Sequence, residues 1–178
     1  MPTIITHSAI ALGAAPCLRS LRKRFLLIVT GMLLTILPDL DVVAFKYGIP
    51  YGHMFGHRGF SHSILFAVLT SAILALFLRQ ARVRQSLLVW GYLFICAVSH
   101  GLLDAMTNGG LGVGLFSPFS QERIFFEFRP IEVSTLSLSR FFNGQGLFVL
   151  QNELLVVWLP AAMFFVVAFW LTKMLSKA

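Results

Sequence analysis

Apolar residues run along this chain in long blocks rather than in alternation. Leu87 to Met106 and Leu154 to Thr172 are nearly unbroken, and each has the roughly 20 residues that cross a bilayer core as a helix. Ser61 to Leu78 is almost as long, and Phe25 to Leu37 is shorter, with Pro38 closing it as a helix breaker does. Ile4 to Leu18, rich in Ala and Ile, is a further candidate. A secretory signal carries its positive charge ahead of the apolar stretch. Here Arg19, Arg22, Lys23 and Arg24 follow it, so the segment reads as part of a bundle. The pattern predicts an all-α, polytopic helical membrane protein with about five membrane helices. The first two are short, tilted or only partly inserted. Residues 1–178 form one integral membrane domain.

Between the last two predicted helices lies a loop over about 107–151, too long for an idle connection. Asn108 to Gly114 is a glycine-rich turn. Ile124 to Val133 mixes aromatic and branched residues with Glu127, Arg129 and Glu132, and Pro130 interrupts it. It reads as a short hairpin or as a segment lying on the membrane surface.

Composition sharpens the class. Of 178 residues, 57% are hydrophobic and 12% are charged, about half the charged share of soluble domains. Mean hydropathy is +0.83. These values argue against an ordinary soluble enzyme and against disorder, which requires low hydrophobicity. The net charge of +7 does not point to nucleic acid, because the basic residues flank apolar runs and form no single patch; the expected partner is the lipid bilayer. With five spans, one face holds Arg19, Arg22, Lys23, Arg24, Arg79, Arg82, Arg84, Lys173 and Lys177 and no acid. The other holds Lys46, Arg58, Arg123, Arg129, Arg140 and all seven acids. The positive-inside rule assigns the first face to the cytoplasm and the 107–151 loop to the exterior. Cys17 and Cys96 each lie inside an apolar stretch and read as buried thiols, not a disulfide framework.

Seven polar residues then stand out. His7, Asp39, Asp41, His57, His62, His100 and Asp104 all fall near the external ends of their predicted spans. Ionisable groups at membrane depth are costly, and the default reading is functional. His100 and Asp104 are four apart and share one helix face. Asp39 and Asp41 are two apart beside a proline, where extended backbone would let both approach one ion. Imidazole plus carboxylate suits zinc, manganese or iron better than calcium. Three carboxylates would balance most of the charge of two divalent cations, and such a pair can clamp an attacking water and a phosphoryl oxygen. Arg58, set between two candidate ligands, has the planar fork that suits phosphate. Arg123 in the loop is a second substrate-binding candidate. Blander roles stay open: Asp39 and Asp41 as the start of a solvated loop, His100 and Asp104 as a structural pair, and Ser61 or Ser63 as a helix N-cap. His53 reads as a loop residue.

The strings His7-Ser8, Pro38-Asp39-Leu40-Asp41, His57-Arg58-Gly59-Phe60-Ser61-His62-Ser63 and His100-Gly101-Leu102-Leu103-Asp104 resemble the YdjM-like family of bacterial inner-membrane proteins, described as membrane-bound metal-dependent hydrolases. The turn Asp104 to Gly112, Pro118-Phe119-Ser120, Arg123 and Arg129-Pro130-Ile131 are similar too. The resemblance covers roughly Pro2 to Ile131 and most of the apolar tail. It implies an inner-membrane, metal-dependent hydrolase.

The expected activity is hydrolysis of a phosphoester of a lipid, a phospholipid or polyprenyl phosphate, at the external membrane face. The seven His and Asp residues would hold about two divalent ions, zinc or manganese. Asp41 or Asp104 would take a proton from water, and Arg58 would hold the phosphoryl group. Two other readings compete: a pathway for metal ions or protons, and a non-catalytic membrane protein stapled by a structural metal.

Overall fold

The computed structural model describes residues 2–80, 82–134 and 146–175. Arg140 and Lys177, and the part of the loop at 135–145, lie outside them. The fold is all-helical. Helix α1 is Ile4–Gly13, α2 is Arg24–Ile36, α3 is Ile64–Phe77 and α4 is Val83–Ala105. Helices α5, Gly146–Glu153, and α6, Leu159–Leu175, are joined by a π turn at Leu154–Trp158. Among the described residues three stretches are long and apolar enough to cross a membrane: Arg24–Tyr47, Val83–Ala105 and Gly146–Leu175. Ile4–Gly13 and Ile64–Phe77 are shorter apolar helices.

Helix α4 is the central post, packed against α1, α2 and α3, while α6 packs against α1. Leu18, Leu27, Leu34, Val89, Leu93 and Cys96 form the dry core between α1, α2 and α4. The buried Tyr92 hydroxyl donates to the Ala11 carbonyl at 3.0 Å. That tie spares the phenol an unpaired buried dipole and locks α4 to α1. Phe164, Val166 and Trp170 on α6 stay exposed, as expected of a helix solvated by lipid tails. Both cysteines are free, Cys96 buried and Cys17 partly so.

Several boundaries differ from the sequence reading, each for a backbone reason. The first helix stops at Gly13, short of Leu18, because Pro16 cannot continue it and the chain turns into a 3-10 segment, Ala15–Leu18. Pro38 does end α2, yet the chain does not become extended. It continues as a 3-10 helix, Leu37–Tyr47, with the proline in its first turn, where its missing N–H costs nothing. The second membrane segment is therefore longer than its apolar run, and Asp39 and Asp41 are helical neighbours aimed in different directions. The last helix starts at Gly146 rather than Leu154. Its π turn ends two residues before Pro160, whose ring would clash with the carbonyl four residues back in a regular helix. Residues 124–133 make no hairpin with themselves. Among the described residues they pair only as isolated bridges, Thr107 with Ile131 and Val113 with Ile124, which fold them onto the glycine turn.

Candidate metal centre

All the singled-out His and Asp residues lie at one end of the bundle, where the ends of α2 and α4 and the starts of α1 and α3 meet. Ser63 caps α3 by accepting from the Phe66 N–H at 3.1 Å, which leaves Ser61 for another task. Asp39, His62, His100 and Asp104 each aim one ligand atom into a common volume, all within 4.8 Å of one another, and all four are buried. Asp41, His57 and His62 form a second such group, so His62 belongs to both.

Hydrogen bonding decides which ring nitrogens of the first group carry hydrogen. His100 Nδ1 lies 2.6 Å from the Thr35 carbonyl, an obligate acceptor, so it bears the N–H. That carbonyl is free because its i+3 neighbour in the 3-10 pattern is Pro38, which has no N–H to offer. His62 Nδ1 lies 3.2 Å from Asp41 Oδ2 and 3.0 Å from Ser61 Oγ. Ser61 already donates to Asp41 at 2.6 Å. Both neighbours of His62 Nδ1 are thus acceptors, and it too bears the hydrogen. In the neutral rings both Nε2 atoms are then bare lone pairs, and they face each other at 3.0 Å. Asp39 Oδ1 stands 3.4 Å from His100 Nε2, and Asp104 Oδ2 stands 3.5 Å from His62 Nε2.

With both rings neutral, four acceptors crowd one buried volume. A proton on one ring would satisfy only part of this set, whereas a cation satisfies all of it. Two nitrogens bound at about 2.0–2.1 Å to one tetrahedral ion sit about 3.3 Å apart, near the 3.0 Å separation seen. The charge count agrees: Asp39, Asp41 and Asp104 against the buried guanidinium of Arg58 leave two negative charges, which one divalent ion would cancel.

His7 flanks this group. Its ring stacks on His100 at 3.9 Å between centroids, and its Nε2 is 3.9 Å from Asp104 Oδ1. Both of its nitrogens are buried without a hydrogen-bond partner, as are both oxygens of Asp39 and of Asp104. Unpaired buried polar atoms are rare and call for a cause; here they border the same volume.

Asp41 has a different environment. It receives His57 Nδ1 at 2.7 Å, the Arg58 backbone N–H at 3.1 Å, the Ser61 hydroxyl and His62 Nδ1. Its lone pairs are largely spoken for.

Arg58 lies buried with φ 61°, the left-handed region that L residues seldom adopt. The Asp41 contact to its N–H and a 2.8 Å bond from Gly114 N–H to its carbonyl hold it there. Its Nε is 2.9 Å from Asp104 Oδ2, Nη1 donates to the Gly109 carbonyl at 2.9 Å, and Nη2 donates to Thr107 Oγ1 at 3.2 Å. Arg123 donates from Nη1 to the His57 carbonyl at 3.0 Å and from Nη2 to the Tyr51 carbonyl at 2.8 Å, tying down the 51–57 loop. Burial pushes the Tyr51 hydroxyl pKa up, so this ring beside His57 stays neutral. His53 contacts Phe55 within an exposed part of that loop.

Two glycines explain the motif spacing. A side-chain carbon at Gly59 would come within 2.1 Å of the Met54 carbonyl, and one at Gly101 within 2.4 Å of the His62 carbonyl. The second contact is what lets α4 approach closely enough for His100 to meet His62.

Glu153 was not singled out in the sequence, where it merges into a loop edge. It is fully buried and accepts from the Thr3 backbone N–H, from Thr3 Oγ1 at 2.6 Å and from Thr6 Oγ1 at 2.7 Å. It thereby caps the start of α1, the helix that carries His7. The detectable signal was a lone carboxylate directly before an apolar run. Glu153→Ala is expected to destabilise the protein by about 3 kcal/mol through lost charged hydrogen bonds, lowering the melting temperature by about 6–12 °C. Glu153→Gln, which keeps one acceptor oxygen, should recover part of this in a detergent thermal-shift measurement.

The family described as YdjM inner membrane protein matches residues 1–177. The inner membrane protein YbcI of Escherichia coli (strain K12) is 40% identical over 171 residues, covering 96% of this chain and 98% of that protein. No solved structure matches.

Proposed function

The chain belongs to the YdjM inner membrane protein family, and from the buried acceptor cluster we propose that it is a metal-dependent hydrolase cleaving a phosphoester of a membrane lipid. One divalent ion, zinc or manganese, would sit among Asp39, His62, His100 and Asp104, with His7 as a further donor. Such an ion acidifies a bound water and polarises a phosphoryl oxygen. The observation that carries this reading is the pair of bare Nε2 lone pairs at 3.0 Å, backed by two carboxylates.

The remaining residues take roles their contacts allow. Asp104 Oδ1 has no hydrogen bond, so it is better suited than the saturated Asp41 to accept a proton from water. Asp41 and His57 support His62 from outside the ion's shell. A guanidinium has five N–H groups; Arg58 donates two of them to Gly109 and Thr107 and turns its Nε toward Asp104 as an ion pair, leaving two for phosphoryl oxygens. Arg123 serves by holding the loop that carries His57. The inner-membrane location follows the family, and the charge asymmetry of the sequence supports a site toward the external side.

A purified protein is expected to carry one zinc or manganese ion per chain and to cleave a phospholipid or polyprenyl phosphate. Chelation should remove both properties. His62→Ala should retain less than about a tenth of the metal, because it deletes a ligand on which both candidate groups depend. Full metal occupancy and activity in that variant would refute the site.

One observation favours a second reading. His7, His100 and Asp104 are fully buried and Asp39 and His62 nearly so. Closed shells with four protein ligands characterise structural metals. A protein that holds its ion but turns over no lipid phosphoester would establish that reading.

A further inference from the structure

A cavity of about 510 Å³ runs between α1, α4 and α6, distinct from the metal centre. Its wall is almost wholly apolar. Along α4 it extends from Leu103, one turn from His100, to Leu87 near the opposite end of the bundle. Along α1 and the 3-10 segment after it, the wall runs from Ile10, one turn from His7, to Cys17. At 1.5 Å per residue the α4 wall is about 24 Å long.

We infer that this groove seats the single long hydrocarbon chain of a polyprenyl phosphate, leading its phosphate to the metal centre. Two features select this occupant. The groove starts within one turn of two cluster histidines, so a headgroup at the cluster puts its chain at the groove mouth. The groove is longer than a leaflet, about half of the roughly 30 Å hydrocarbon core, and so fits a chain that reaches past the mid-plane. The headgroup assignment rests on the hydrolase reading; the chain site itself does not.

Gly91 supplies the test. It lines the groove, and a side-chain carbon there meets nothing within 4 Å. Gly91→Phe therefore fills the groove without a backbone clash and replaces a poor helix former. The full chain in detergent is irradiated with a polyprenyl monophosphate carrying a diazirine towards its tail. Mass spectrometry then locates the label while metal content is read in parallel. The expected result is labelling of groove peptides, reduced about tenfold in Gly91→Phe by occlusion, with metal content unchanged. Ile73→Phe, on the exposed face of α3, should label like wild type. Equal labelling in Gly91→Phe, or equal groove labelling by a diacyl phosphatidic acid with a mid-chain diazirine, would overturn the proposal. So would a wild-type dimer that becomes monomeric on Gly91→Phe, since the groove would then seat a second copy. Labelling needs no turnover. A labelled groove in a protein that cleaves nothing would defeat the hydrolase reading alone, and an unlabelled groove in an active protein would defeat the chain site alone.

Discussion

An Asp104→Asn protein is expected to lose its metal and to melt well below the wild type. The two effects have separate causes. Asp104 Oδ2 faces both the His62 Nε2 lone pair at 3.5 Å and the Arg58 Nε at 2.9 Å. Neutralising it removes one of two charged donors to the ion. It also leaves a fully buried guanidinium without its counter-charge, which costs about 3–5 kcal/mol when one partner of a buried pair is removed. Adding Arg58→Met to Asp104→Asn should restore much of the melting temperature, because the stranded charge is gone, and should leave metal content near zero. Elemental analysis and thermal unfolding on the single and double variants separate the two effects. Wild-type metal content in Asp104→Asn would exclude this aspartate as a ligand.

Asp41→Asn should behave differently. Asp41 touches His62 through Nδ1, the nitrogen facing away from the cluster, and so would act on a bound ion by fixing that ring's tautomer and orientation. Losing such a support typically weakens metal affinity about 10–100-fold while the ligands remain. Titration with zinc should therefore still reach one ion per chain, at higher free metal. A fall from two ions to one would instead make Asp41, His57 and His62 a second metal site. His57→Gln sharpens the comparison: it removes one donor to Asp41 and should shift zinc affinity by less than Asp41→Asn does.

How far the site was legible depended on where the geometry came from. His100 and Asp104 could be read as one face from their spacing alone, because a continuous helix imposes that relation. The helix cap at Ser63 was legible for the same local reason, although Ser61 was an equal candidate until its hydroxyl was found on Asp41. Asp39 and Asp41 could not be read correctly. A proline marks a break in an α-helix but does not say whether extended or 3-10 backbone follows, and the two give opposite side-chain directions. Arg58 looked like a free anion fork in a polar string; only the fold sets Asp104, Gly109 and Thr107 around it. Glu153 gave no periodic signal, since its partners Thr3 and Thr6 lie about 150 positions away.

The sequence by itself determined the solvent this protein lives in, the number of apolar helical segments and the level at which its ionisable groups lie. Those properties are sums or short-range periodicities along the chain, so no distant contact can change them. Only the tertiary structure decided that the two imidazole Nε2 atoms oppose each other, that Asp104 faces them while Asp41 faces away, and that an apolar groove starts close by. Such relations join residues far apart in sequence. They depend on helix packing, on a glycine that admits a neighbouring backbone and on which carbonyl a proline leaves free.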